Sequence, residues 1–412
     1  MTSSRGTSAT GSAGRVPAGP ERHPDDHDPR APGIRRVRRS AIALAAAAAL
    51  VVGSCSASGS SAAPNAVSGR PAPTTAPASV GPVTVTDALG RQVMFAAAPR
   101  RIVVAGKAVA LVADAVYLFP EASSRVVALG TAAQKTFDFI SVVDPGYGSK
   151  TILEGGAGPE QIAATEPDVV LMKTSNAESL GTPLDVLGVK VVYVDFETPD
   201  QYARDLGTLG RLFGDEARAQ QLISYFRQRA DRVTTALADI GDSQKPKVLL
   251  LYYSDKDGAV AFNVPPLSYI QSTMVELGGG RLVWQDAQLG RGWTTVTLEQ
   301  IAAWDPDQVY VVAYFANVDD VVGTLRTDAQ WQMLRAVKDD AIYGFPGDYY
   351  SWDQPDPRWA LGLTWLAAKI HPDRFSGLDM DEEIRGFFRD LYDLDDAAYE
   401  KDIQPHLSGD LP

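Results

Sequence analysis

The eleven residues EQIAATEPDVV beginning at Glu160 return as EQIAAWDPDQV beginning at Glu299, identical at eight positions and 139 residues apart. A period that long excludes a solenoid and points to two similar half-molecules, each large enough for its own core. Each copy reads as a short helix broken by Pro-Asp and feeding a β-rich run: Val169-Val170-Leu171-Met172 in the first, Val309-Tyr310-Val311-Val312 in the second. A helix leading into a wholly apolar strand marks a parallel sheet covered on both faces. The expected fold is α/β, with two lobes. Each is a short, mainly parallel sheet flanked by helices, and each carries a Glu at the start of the same helix.

The first eighty residues read as address and tether. Residues 1–39 are polar, without apolar periodicity, and end in the basic cluster Arg35, Arg36, Arg38 and Arg39; an apolar run from Ala41 to Gly53 follows. A basic stretch, a short apolar core and small residues at a cleavage point make an export signal over 1–54, too short to span a bilayer. Cys55 is the only cysteine of the chain and stands directly after that core. A lone cysteine there resembles the lipidated N-terminus of a bacterial lipoprotein. Residues 55–80, rich in Ser, Ala, Pro and Gly, then form a flexible tether. The expected location is extracytoplasmic, held to the membrane only by a lipid on Cys55. Without residues 1–54 the chain carries 30 basic and 47 acidic side chains, a net charge of −17. That balance argues against nucleic acid or anionic lipid as partners.

Strand and helix signals alternate through an N-terminal lobe over 81–213, with strands expected at 83–86, 101–105, 126–129, 169–172 and 190–194. A long amphipathic helix is expected over 215–240, within a linking segment 214–241. At about 1.5 Å per residue it would run nearly 40 Å. A C-terminal lobe over 246–412 follows, with strands at 247–253, 260–262, 281–283, 309–312 and 342–345. Gly278-Gly279-Gly280 follows a helix, so it is a helix stop and no phosphate loop.

The chemical inventory weighs against catalysis. Beyond the signal only His371 and His406 remain, which leaves no His/Cys zinc site and no clear base for a Ser-His-Asp arrangement. No metal and no cofactor is expected. Acidic pairs such as Asp319-Asp320 read as solvated faces. Aromatic and basic residues gather where strands end: Lys107, Lys173, Tyr252, Tyr253, Tyr314, Tyr349, Tyr350 and Trp352, with Arg291 and Trp293 just ahead of the second repeat and Arg358 at a helix start. Gln134-Lys135 follows another strand. Ligands of open α/β sheets bind beyond the carboxyl ends of strands, so these residues are candidates for one cleft between the lobes. Arg358 is expected either to hold an anion there or to pair with Asp353 or Asp356.

The opening VTDALGRQVMFAAAPRRIVV, the paired EQIAA helices, the long mid-chain helix, the GGG-R-L stretch and WQMLRAVKDDAIYGFP resemble, in that order, the solute-binding proteins of ABC importers for ferric siderophores, haem and cobalamin. The resemblance covers about residues 83–372. It implies two lobes bridged by one rigid helix, a monomeric receptor that is not an enzyme, and a metal chelate as cargo. The partner it implies is a permease dimer with its ATPase, docked through Glu160 and Glu299. Some relatives of the fold bind molybdate or tungstate, which Lys107, Lys173 and Arg291 would suit. A lipid-anchored ligand sensor is the remaining alternative.

Overall fold

A computed structural model of the chain describes residues 81–131 and 138–411. The signal, Cys55 and the tether lie outside the described residues, as do Gln134 and Lys135. A short antiparallel hairpin, β1 (Val83–Thr86) and β2 (Gln92–Phe95), precedes the first sheet. That sheet is built from β3 (Ile102–Val104), β4 (Val126–Gly130), β5 (Thr151–Leu153), β6 (Val169–Lys173) and β7 (Val191–Val194), all parallel, in the order β5-β4-β3-β6-β7. Its central strands are apolar throughout because helices cover both faces; Val103, Val104, Val170 and Leu171 are wholly buried.

The second sheet holds β8 (Lys247–Lys256), β9 (Ala259–Val264), β10 (Arg281–Leu282), β11 (Thr294–Val296), β12 (Gln308–Val312) and β13 (Ile342–Gly344). Its order is β11-β9-β8-β12-β13, with β10 paired to β8. Counted within each lobe, with β10 set aside, both sheets run third, second, first, fourth, fifth. The repeat seen in the sequence is therefore a repeat of topology. The second sheet departs from the first in being mixed, since β9 is antiparallel to both β8 and β11.

The helices that position the site are α1 (Val109–Val116), α2 (Pro159–Ala163), α3 (Pro199–Phe213), α4 (Glu216–Ala236), α5 (Ile270–Leu277), α6 (Leu298–Trp304), α7 (Val318–Thr327), α8 (Trp359–Ile370) and α9 (Met380–Tyr392). Helix α4 lies in sequence between the two sheets. Asp215 caps it by accepting the Arg218 amide, and its 21 residues span about 31 Å. It is shorter than the periodicity suggests because Leu237 leaves the helix and buries its side chain beside Gly279. Phe226 of α4 stacks on Trp359 of α8 at 5.7 Å and meets Tyr202 of α3 at 4.9 Å, so one aromatic cluster ties the linking helix to both lobes. His371 caps α8 and places Nε2 3.1 Å from the Gly279 carbonyl. Among the described residues no helix is long and apolar enough to cross a membrane.

Candidate functional site: an interlobe cleft

Each sheet has its topological switch between its first and fourth strands, β3/β6 and β8/β12. At such points the connecting loops diverge and leave a crevice. In the N-terminal lobe β3 runs into α1 through Gly106 (φ +93°), Lys107 and Ala108 (φ +60°). Asn176, just past β6, closes the turn: its Oδ1 accepts the Lys107 amide at 2.8 Å. A Cβ on Gly106 would stand 2.8 Å from Asn176 Cγ, so glycine is required there both by φ and by space. The left-handed Ala108 stores backbone strain at the same turn.

At the matching point of the C-terminal lobe, Tyr252, where the pairing of β8 with β12 ends, and Tyr314 past β12 lie 4.6 Å apart. Trp293 packs against both (5.4 and 6.2 Å), with Tyr269 at 6.4 Å from the indole. The Tyr314 hydroxyl donates to Asp353 Oδ2 at 2.6 Å, and Gln271 Nε2 donates to the same oxygen at 2.9 Å. Burial raises the Asp353 carboxyl above the usual carboxylate range and the Tyr314 phenol well above its ordinary value. Tyr314 is thus clamped from behind, while Tyr252, Tyr269 and Trp293 remain half-buried and form an aromatic wall.

The carboxyl ends of the two sheets face each other. Past β7, Glu197 forms an ion pair with Lys173 of β6 and accepts the Ile270 amide at the start of α5, in the other lobe, at 3.4 Å. Past β4, Phe139 packs on Tyr349, past β13, at 5.7 Å, and on Tyr392 of α9 at 4.8 Å. Two cavities open at these ends. One, of about 580 Å³, is lined by Lys107, Ala108, Thr131, Glu154 and Asn176. The other, of about 740 Å³, is lined by Tyr314, Phe315, Tyr349, Ser351 and His406.

Several candidate residues fall together here and others do not. Lys107 and Arg291 are exposed, and neither is engaged in an ion pair among the described residues. Lys173 is only 7 % exposed and committed to Glu197 within its own lobe, so it is not free to hold an anion. Tyr253 points to the strand face opposite Tyr252 and packs on Phe262 at 6.2 Å. Tyr349 lines the second cavity but donates its hydroxyl to the Asp402 carbonyl at 2.9 Å. Tyr350 and Trp352 are at most 1 % exposed, and the Trp352 indole donates to Asp348 Oδ2 at 2.8 Å. Arg358 is fully buried; its guanidinium forms ion pairs with Asp348 and Asp114 and none with Asp353 or Asp356, while its backbone amide donates to Asp356 Oδ1. A guanidinium removed from water requires carboxylates around it; the loop from β13 to α8 supplies Asp348 and α1 supplies Asp114.

Sequence reasoning missed Asn176, Glu197 and the position of His406, whose ring lies 4.5 Å from that of Tyr349. His406 arrives from the far C-terminal segment, which bridges back at Ser408 to Gly347; no local pattern announces that return. Asp114 did leave a signal, as the one charge in the apolar helix VALVADAV.

Glu160 and Glu299 are both exposed at the second position of their helices, α2 and α6. The caps match: Gln161 Oε1 accepts the Gly158 amide and Gln300 Oε1 accepts the Thr297 amide, each at 2.8 Å. Hydrogen bonds from its own amide and from the Thr297 hydroxyl hold the Glu299 carboxyl below its ordinary range.

A family model described as periplasmic binding protein matches residues 99–349. The molybdate-binding protein MolA of Haemophilus influenzae is 26 % identical over 263 residues, spanning 58 % of this chain and 72 % of that protein. A vitamin B12-binding protein of Yersinia pestis is 28 % identical over 167 residues, 40 % of this chain and 56 % of the relative. A periplasmic solute-binding protein from Veillonella parvula superposes with a TM-score of 0.62 at 23 % identity, covering 78 % of this chain and 97 % of that one; this likeness shows the fold.

Proposed function

Since the chain belongs to the periplasmic binding protein family, we propose that it is the extracytoplasmic receptor of an ABC importer and captures an organic metal chelate in the interlobe cleft. On this reading Cys55 carries the lipid that anchors it, α4 is the rigid bridge between lobes, and Glu160 and Glu299 engage a permease dimer. The observation that carries the ligand class is the aromatic wall of Tyr252, Tyr269, Trp293 and Tyr314, of which Tyr314 also lines the cavity of about 740 Å³. Flat aromatic faces and volumes of that order suit a compact organic ligand. A bare tetrahedral oxyanion would use little of either. No catalytic step is assigned.

A second reading, uptake of molybdate or tungstate, is favoured by the exposed Lys107 two residues before α1, whose N-terminus has no side-chain cap. The relative named for molybdate binding also supports it. Titration of intrinsic fluorescence against ferric hydroxamates, ferric catecholates, haem, cobalamin, molybdate and tungstate separates the two. Saturable quenching by one chelate at micromolar affinity or better is the expected result. Response to the oxyanions alone would replace the first reading by the second, and silence across the panel would overturn both.

A further inference from the structure

Arg358 and the carboxylates of Asp114, Asp348 and Asp356 meet in a site where none is more than 1 % exposed. Arg358 Nε donates to both oxygens of Asp348, at 2.7 and 2.9 Å. Its Nη1 reaches across the lobes to Asp114 of α1. Asp356 Oδ1 accepts the Arg358 amide at 2.8 Å, and the guanidinium lies 4.3 Å over the Phe139 ring. Three carboxylates therefore surround one buried cation. Among the described residues the site would hold a net charge of −2 with all three ionised, and a buried excess charge is costly enough that protons are retained instead.

The donors show where. Asp348 also accepts the Tyr349 amide (2.6 Å) and the Trp352 indole (2.8 Å). Asp356 Oδ2 and Asp114 Oδ1 have no partner among the described residues. Burial raises the Asp356 carboxyl well above its usual range. Burial likewise pushes Asp114 up to about 7, with Arg358 pulling it down and Asp348 and Asp138 pushing it up. The other titratable groups facing Asp114 among the described residues are phenols with raised values: Tyr202 of α3, Tyr350 of the β13–α8 loop, and Tyr392 of α9, whose hydroxyl donates to the Asp114 carbonyl at 3.3 Å.

The cluster also stands between the two cavities. The first turn of α1 lines the N-terminal one, and Asp348 lines the C-terminal one.

We propose that this cluster is a proton-operated clasp: closing the lobes takes up a proton at Asp114, and losing that proton loosens them. The proposal regulates the cleft assigned above and rests on that reading for its biological consequence, but its test needs no ligand. The sign follows from linkage. Asp114 hydrated in an opened state titrates in the ordinary carboxylate range, whereas closed it titrates near neutrality. The closed form therefore binds the extra proton between these values. Its advantage is complete at acid pH and is lost as pH rises through about 7. For a group titrating there, the opening equilibrium grows about tenfold between pH 6 and pH 8.

Amide hydrogen exchange of the full chain at the two pH values, corrected for intrinsic exchange rates, reads this opening in peptides covering 109–118 and 346–358. The expected result is an approximately tenfold loss of protection at pH 8 in the wild type, and in Asp114→Asn a protection that is the same at both pH values. Equal wild-type protection at pH 6 and pH 8 would overturn the clasp, and that comparison stands even if the variant fails to fold. A tenfold step retained in Asp114→Asn would overturn it too. A merely structural Asp114 lowers protection at both pH values and leaves the step in place.

Discussion

Gly106 offers the sharpest test of how the cleft is held. Alanine there must adopt φ +93°, a backbone state that costs roughly 1–2 kcal/mol for a residue with a Cβ. The new methyl would also stand 2.8 Å from Asn176 Cγ. Asn176 cannot simply swing away, being 2 % exposed and bonded to the Lys107 amide, with its Nδ2 near the Lys107 and Lys173 carbonyls at 3.4 and 3.3 Å. Such overpacking adds about 1–3 kcal/mol, so Gly106→Ala alone is expected to lose about 2–5 kcal/mol. Asn176→Ala alone loses its hydrogen bonds, about 1–3 kcal/mol. In the double variant the steric conflict is gone while the backbone cost and the lost bonds remain. Its destabilisation should fall short of the sum of the single variants by about 1–3 kcal/mol. Urea unfolding of the four proteins at one pH measures this. Additivity within about 0.5 kcal/mol would refute the claim that Asn176 buttresses the turn presenting Lys107.

Two further outcomes follow from placement. Trp293 is half-buried in the aromatic wall and Trp352 is sealed against Asp348. Trp293→Phe should therefore abolish the fluorescence response to ligand, whereas Trp352→Phe should keep it and lower stability by about 1–3 kcal/mol; the reverse pattern would move the cleft elsewhere. Glu160→Ala combined with Glu299→Ala should abolish uptake in cells while leaving ligand affinity unchanged, and unimpaired uptake would refute the docking role.

The scaffold was legible where physics is local. The apolar runs at 169–172 and 309–312 became the buried strands β6 and β12, and the EQIAA pair became α2 and α6 with matching glutamine caps. Short strands with exposed positions, β2, β5 and β11, carried too little apolar pattern to be seen. Helix α7 was hidden because its first turn is Asp319-Asp320, which reads as solvated surface. Those acids sit at a helix start where the dipole favours them, and their amides are capped by Asn317 Oδ1. The largest misplacement is the stretch from Tyr349 to Arg358. A polar segment of Asp, Gln, Pro and Ser after a strand has every local mark of a surface loop. It is buried instead, because Asp348 and Arg358 neutralise one another and Asp114 arrives from more than two hundred residues away in sequence. A long-range partner of that kind leaves no trace in the sequence around the loop.

What the two halves share and where they differ carries a functional argument of its own. Strand order, the glutamine cap and the exposed Glu are common to both lobes. The switch points have nothing in common: Gly106, Lys107 and Asn176 make a polar turn on one side, while Tyr252, Tyr314 and Trp293 make an aromatic wall on the other. A partner that meets both lobes in the same way sees two equivalent carboxylates, as a permease dimer would require, and paired charges fix its orientation. A single ligand between the lobes sees two unlike surfaces. On the proposed reading it would present a face for stacking and, opposite it, a polar or anionic edge for Lys107. An organic chelate would meet that requirement through its own asymmetry, whereas a tetrahedral oxyanion would offer the same edge in every direction and make little use of the aromatic wall, which is the contrast the ligand titration tests.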